Sequence, residues 1–251
     1  MRFISETISD GVSEREFSLG DIPGVLWSPI DAADGRALVL LGHGGGGQHK
    51  KVPGLVARAR RYVTGCGFAV AAIDAPGFGG RPRTEQDERF LAGIAELRAA
   101  GEPIGPHVAR YNAALAERAV PEWQAVLDAL QGSGLGLDPG GPVGYWGVSL
   151  GSAIGVRLVA AEPRITAAVF GLVGHDTLAK AAARISVPVE FLLQWDDELV
   201  PREEGLALFD AFASREKTLH ANPGRHGEVP AFELESSARF FARHLGGAAL
   251  S

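Results

Sequence analysis

The chain has 251 residues, of which 46% are hydrophobic and 22% charged, with a formal net charge of −6. That length suits one large α/β domain with a substantial core, or two small ones. No basic run is longer than Lys50-Lys51, so the polyanion-binding footprint is missing and nucleic acid is not an expected partner.

The opening residues, MRFISETISDGVSEREF, hold no apolar stretch of signal-peptide length, and no later segment is long enough for a membrane span. The single cysteine, Cys66, has no partner for an internal disulfide. A reducing, cytoplasmic setting is therefore the expectation. ISETISDGVSEREFSL (4–19) and IPGVLWSPI (22–30) alternate and predict antiparallel strands at a sheet edge. ALVLLGH (37–43) and FAVAAID (68–74) read as strands buried on both faces, with Cys66 a small packed thiol in the turn before the second. PVGYWGV (142–148), ITAAVFGLV (165–173) and VPVEFLLQW (187–195) have the same character, which belongs to parallel sheets covered on both sides. Helical patterns fall between them: VPGLVARARRYVTG, VPEWQAVLDALQG, LGSAIGVRLVAAEP, DTLAKAAARI and REEGLALFDAFAS. The closing PAFELESSARFFARHL places Leu234, Ala238, Phe241 and Leu245 on one face of a terminal helix. The expected fold is a single α/β domain over 1–251: a mostly parallel, doubly wound sheet with antiparallel N-terminal edge strands.

Between FAVAAIDAPGFGG and VPEWQAVLDAL lie roughly forty residues, far more than a plain crossover needs. Phe90, Leu91, Ile94 and Leu97 form one helical stripe, and Tyr111 with Leu115 suggest a second helix. Residues 82–118 are thus expected to be an inserted helical hairpin at the carboxyl ends of the strands, a cap over a ligand crevice. The carboxylate-rich RTEQDER at its start is expected to be a solvated helix face.

The stretch Gly147-Val148-Ser149-Leu150-Gly151 is a Gly-x-Ser-x-Gly pattern, which 34 glycines make ordinary by chance. Its position after a buried strand and before a helix is what a nucleophile elbow requires. Upstream, His43-Gly44-Gly45-Gly46-Gly47 ends a strand, and its glycines would let backbone N–H groups approach a substrate oxygen. Gly45 and Leu150 are the expected oxyanion donors. Neither Gly-x-Gly-x-x-Gly before a suitable acid nor a phosphate-cradling Gly-x-x-x-x-Gly-Lys-Ser/Thr occurs. Downstream, Asp196 and Asp197 follow one strand, and His226 lies in a glycine-containing loop after the next. A serine needs a base and the base an orienting carboxylate, and this order brings all three to one sheet edge. His43 is expected to be a structural hydrogen-bonding residue and His220 to be fixed by packing. His49 is left between pocket and solvent, and His107, His175 and His244 have no motif support. No Cys/His cluster or His-Glu-x-x-His pattern suggests a metal.

With GHGGGG, AIDAPGFGGR, GVSLG, DDELVP and GRHGEVP in this order, nearly the whole chain resembles the α/β-hydrolase superfamily, especially its dienelactone-hydrolase-like and acyl-esterase-like members. The resemblance implies an Asp-x-x-Val-Pro setting for the acid, which selects Asp197 over Asp196. A dienelactone hydrolase proper carries cysteine at the elbow, where this chain carries Ser149. The implied activity is a serine hydrolase of a small-molecule carboxylic ester or thioester, working through an acyl-enzyme with Ser149, His226 and Asp197 and no cofactor. The same machinery would serve acyl transfer, peptide cleavage, C–C bond hydrolysis or perhydrolysis, and a non-catalytic ligand-binding protein could keep the same fold. Trp146, Trp195 and Phe78 are open between an apolar acyl site and sheet packing.

Overall fold

Strands that are apolar along their whole length need cover on both faces, and the chain supplies it from two sets of helices. The computed structural model describes residues 1–31 and 35–246. The expected unit 1–251 also includes 32–34 and 247–251, which lie outside the described residues. A nine-stranded sheet runs in the order β1 (Arg2–Ser9), β2 (Val12–Leu19), β3 (Ile22–Pro29), β5 (Ala69–Ile73), β4 (Leu38–Gly42), β6 (Val143–Gly147), β7 (Ile165–Gly171), β8 (Val189–Gln194) and β9 (Lys217–Asn222). The pairings from β1 through β3 to β5 are antiparallel, and the rest are parallel.

The alternation of each strand divides its side chains between two cores. Leu38 and Leu40 of β4 join Ala71, Tyr145 and Phe170 on one face. Val39 and Leu41 join Val70, Trp146 and Val169 on the other. The first face is covered by α3 (Gly105–Gln131), α4 (Leu150–Ala161), α5 (Ala179–Ala182) and α6 (Arg202–Ala211). The second is covered by α1 (Pro53–Cys66) and α7 (Glu233–Leu245). Complete burial of each large apolar side chain contributes about 1.5–3 kcal/mol, so this two-sided packing fixes the strand ends firmly. Cys66 is buried in the second core, with its thiol against the Ala238 carbonyl and its pKa pushed up by burial.

The chain leaves β4 through α1 to β5 on one side, then returns past β4 to β6. That reversal is the topological switch point where open α/β sheets hold ligands, and it sets the loops after β4 and β6 side by side.

Four sequence expectations change. The second helix of the insertion and the helix at VPEWQAVLDALQ are one continuous α3, so no boundary falls at 118. Pro121 lies inside it, but it is exposed and forgoes only the bond to the Glu117 carbonyl. DTLAKAAARI yields only the four residues of α5. The buried face of α7 includes Glu233 and Ser237 beside Ala238, Phe241 and Leu245, while Leu234 is half-buried. In RTEQDER the side chains of Glu85 and Arg89 are solvated, but Asp87 is 1% exposed. It begins α2 (Glu85–Ala100) in a capping box with Thr84. Among the described residues no helix is long and apolar enough to cross a membrane.

Candidate active site

The turn between β6 and α4 is too tight for side chains at its flanks. A Cβ on Gly151 would meet the Gly42 carbonyl oxygen at 2.5 Å, and one on Gly147 would meet the Gly151 carbonyl carbon at 2.7 Å. Ser149 itself takes φ 55° and ψ −118°, a conformation that costs a non-glycine residue on the order of 1–3 kcal/mol. Its N–H donates to the Gly171 carbonyl at 2.9 Å, which anchors the turn to β7. Ser152, the nearest other serine, is fully buried. It donates to the Gly147 carbonyl at 2.6 Å and accepts from the Gly171 N–H at 2.8 Å, so its hydroxyl is committed to structure.

Ser149 Oγ lies 3.0 Å from His226 Nε2, and His226 Nδ1 lies 2.8 Å from Asp197 Oδ2. The carboxylate can only accept, so Nδ1 carries the proton and Nε2 is left to accept from the serine hydroxyl. Asp197 Oδ1 accepts from the Leu199 and Val200 N–H groups at 2.8 and 2.9 Å. Burial alone would raise the Asp197 pKa, but the hydrogen bonds from His226, Val200 and Leu199 outweigh it and hold the carboxyl below its usual value. Asp196 is exposed, and its carboxylate accepts from the Gly224 N–H at 3.4 Å while its own N–H donates to the Gly224 carbonyl at 3.1 Å.

Two residues that hold the histidine loop were not singled out in the sequence. Glu198 accepts from the His226 backbone N–H at 3.0 Å, which keeps its pKa low. Gln194 is 2% exposed, donates to the Glu228 carbonyl at 3.0 Å, and lies 3.3 Å from the carbonyls of Pro223 and Arg225. Their only sequence signal is position, at the end of β8 and beside the acid.

The glycine loop after β4 is fixed at both ends. Ala75 N–H donates to His43 Nε2 at 3.0 Å, so the His43 proton sits on Nδ1 and donates to the Gly44 carbonyl at 2.7 Å. Burial lowers the His43 pKa and favours this neutral form, a structural role. Buried Asp74 accepts from Lys50 Nζ at 2.8 Å and from Lys50 N–H at 2.7 Å. Among the described residues neither the Gly45 N–H nor the Leu150 N–H has an acceptor, and a Cβ on Gly45 would stand 3.9 Å from Leu150 Cβ.

Ser149, Leu150, His226 and Gly45 line one cavity of about 400 Å³, whose walls are largely apolar. Phe90, Leu91 and Ile94 of α2, and Val108 and Tyr111 of α3, face this space, together with Phe78. Trp146 instead packs in the second core under Arg58, whose Cζ is 4.0 Å from its ring centre. Trp195 is exposed and stacks with Arg202. The hairpin is held by Asp87, which accepts from Tyr111 Oη at 2.6 Å, Arg118 at 2.7 Å and the Thr84 N–H at 2.8 Å. Burial opposes ionisation of Asp87, yet these donors hold its carboxyl far below the usual range.

The remaining histidines stand away from Ser149. His49 is exposed, His107 stacks on Phe90 at 5.1 Å, and His244 packs on Phe240 at 4.7 Å. Among the described residues, two groups bring ligand-type atoms within 4.8 Å of one another: His175, Asp176 and Glu204, and separately Glu190, His220 and Glu233. In the second, His220 Nδ1 is 2.9 Å from Glu233 Oε2, so His220 is held by hydrogen bonding as well as packing.

No protein-family model matches the chain, and no curated protein sequence matches it. Among solved structures, a cold-adapted esterase from an Arctic intertidal metagenomic library in complex with PEG is 33% identical, with 98% of this chain and 100% of that one covered and a TM-score of 0.76. Two more distant structures share the fold. An acetyl xylan esterase from Paenibacillus sp. R4 is 16% identical, with coverage of 97% and 88% and a TM-score of 0.71. A dienelactone hydrolase from Anabaena variabilis is 20% identical, with coverage of 92% and 99% and a TM-score of 0.60. The chain belongs to the same family as the 33% identical cold-adapted esterase, and its fold is the α/β-hydrolase fold.

Proposed function

We propose that this esterase cleaves a small-molecule carboxylic ester or thioester through a covalent acyl-enzyme on Ser149. The observation that carries the reading is the continuous hydrogen-bonded chain Asp197–His226–Ser149 at 2.8 and 3.0 Å, opening into an apolar cavity. Ser149 Oγ attacks the carbonyl carbon while its proton passes to His226 Nε2. The carbonyl oxygen takes up the electron pair and is held by the Gly45 and Leu150 N–H groups, which have no other acceptor among the described residues. Collapse breaks the bond to the leaving group, which departs with the proton from Nε2. Water then attacks the acyl-enzyme with His226 as base and regenerates Ser149. Asp197 keeps the imidazole in the required tautomer throughout. The α2–α3 hairpin acts as a cap on the one α/β unit, because its apolar side chains form part of the cavity wall.

The test is rapid-quench kinetics with a 4-nitrophenyl ester. The expected result is a burst of about one 4-nitrophenolate per site, with the matching acyl mass on the Ser149 peptide. Turnover without any acyl adduct on that peptide would contradict the reading.

A further inference from the structure

A second cavity, of about 230 Å³, adjoins the first. Its walls come from Ala109 of α3, Ala153 of α4, Val173 and Thr177 after β7, and Val200 after β8. Asn112 and Leu199 line both cavities and form the partition between them. The Asn112 amide has no hydrogen-bond partner among the described residues, so on the cap side the partition is held by no polar contact. The walls are mostly apolar, and their only charges are the carboxylates of Asp176 and Glu204, with no Lys or Arg among the lining residues. Such a space suits a neutral hydrocarbon and repels an anionic tail.

We propose that this second cavity is the acyl compartment of the esterase, taking the hydrocarbon chain of a linear, uncharged medium-chain acyl group past Asn112 and Leu199. The assignment rests on the Ser149 acyl-enzyme reading. The leaving-group oxygen must receive its proton from His226 Nε2, so the alcohol side lies against the histidine loop. His226, Gly227 and Val229 all wall the first cavity, and none of them reaches the second. Ala153 stands one helical turn beyond Ser149, so the second cavity adjoins the first along the start of α4, with no residue of that loop in its wall. The acyl arm is the part of the substrate left to occupy it. Each methylene placed there should raise kcat/KM about fourfold.

The test fills the cavity from opposite walls with Ala109→Trp and Thr177→Trp, and uses Ala109→Leu where tryptophan prevents folding. Two ratios of kcat/KM are measured: 4-nitrophenyl hexanoate over 4-nitrophenyl acetate, and hexyl acetate over methyl acetate. In every folded variant the first ratio should fall at least tenfold and the second should move less than twofold. An unmoved first ratio would overturn the proposal, as would a fall confined to the second, which would give the cavity to the alcohol. Labelling of wild type at Ser149 with a fluorophosphonate separates the two claims. Labelled enzyme with an unmoved acyl ratio sinks the compartment alone, whereas an unlabelled Ser149 sinks the acyl-enzyme reading itself.

Discussion

The ends of the central strands and the α2–α3 hairpin both face the Ser149 cavity, but they are held in place by different physics. All five residues of each of β4, β5 and β6 are buried, and the loops after β4 and β6 inherit that rigidity. In α2, Asp87 alone is buried, and besides the stacking of half-buried Phe90 on Tyr111 and His107 the helix is tied down by the hydrogen bonds of that one carboxylate. Apolar burial is distributed and insensitive to any single polar change, whereas an ionic anchor is concentrated in one group. Ser149 and the proposed oxyanion donors therefore belong to the first kind of region, and a wall that can select substrates belongs to the second. Damage to either should be separable.

The sharpest way to break this division is Ser149→Ala, which should lower kcat by about 10⁶-fold while leaving the melting temperature nearly unchanged. His226→Ala should come close to it, because a neutral serine without its base is a poor nucleophile. Next in size, Asp197→Asn should cost about 10⁴-fold through the wrong imidazole tautomer, again with little change in unfolding. A comparable loss of folding in any of these would mean that chemistry and scaffold are not distinct.

The hairpin should respond in the opposite sense. Asp87→Asn leaves Arg118 without its counter-charge and weakens the Tyr111 contact, so α2 should lose about 2–3 kcal/mol of local stability, read as faster hydrogen exchange over Glu85–Ala100. Acylation of Ser149 by a small activated ester should change far less. The folded-state pKa of Asp87 is depressed. Its contribution to stability is therefore fully present above the unfolded carboxyl pKa of about 4 and is lost as pH falls below that value. The protection factors of the wild-type α2 amides should fall on acidification below about pH 4, and Asp87→Asn should flatten that dependence. Exchange that spreads at once through β4 and β6 would erase the distinction. The smallest effect is expected for Asp196→Asn, which should change turnover by about twofold or less, because Asp196 is exposed and its carboxylate bonds the Gly224 N–H while the imidazole bonds Asp197. A loss at Asp196 equal to that at Asp197 would reverse the choice of acid.

What the sequence made legible follows the same division. Buried parallel strands announce themselves as short apolar runs, and residues at their carboxyl ends must gather on one edge. Ser149, the Asp196-Asp197 pair and His226 could thus be set side by side from order alone, and the resemblance to the α/β-hydrolase superfamily, through its Val200-Pro201 setting, implied Asp197. The anchors of the hairpin were hidden because they are tertiary. Asp87 reads as one charge among several in RTEQDER, and nothing local says that Tyr111 and Arg118, 24 and 31 residues away, will turn toward it. The continuity of α3 was hidden by Pro121, a breaker that an exposed helix face tolerates. Glu198 and Gln194 escaped for a related reason: each binds backbone groups of the histidine loop, and backbone acceptors and donors leave no mark in a sequence.

The central claim is that Ser149 is the nucleophile. It is tested most directly by treating the whole protein with a fluorophosphonate and mapping the adduct by peptide mass. One adduct per chain, confined to the peptide with Ser149 and missing from folded Ser149→Ala, is the expected result. An adduct on Ser152 or on any other residue, or full ester turnover by folded Ser149→Ala, would contradict it.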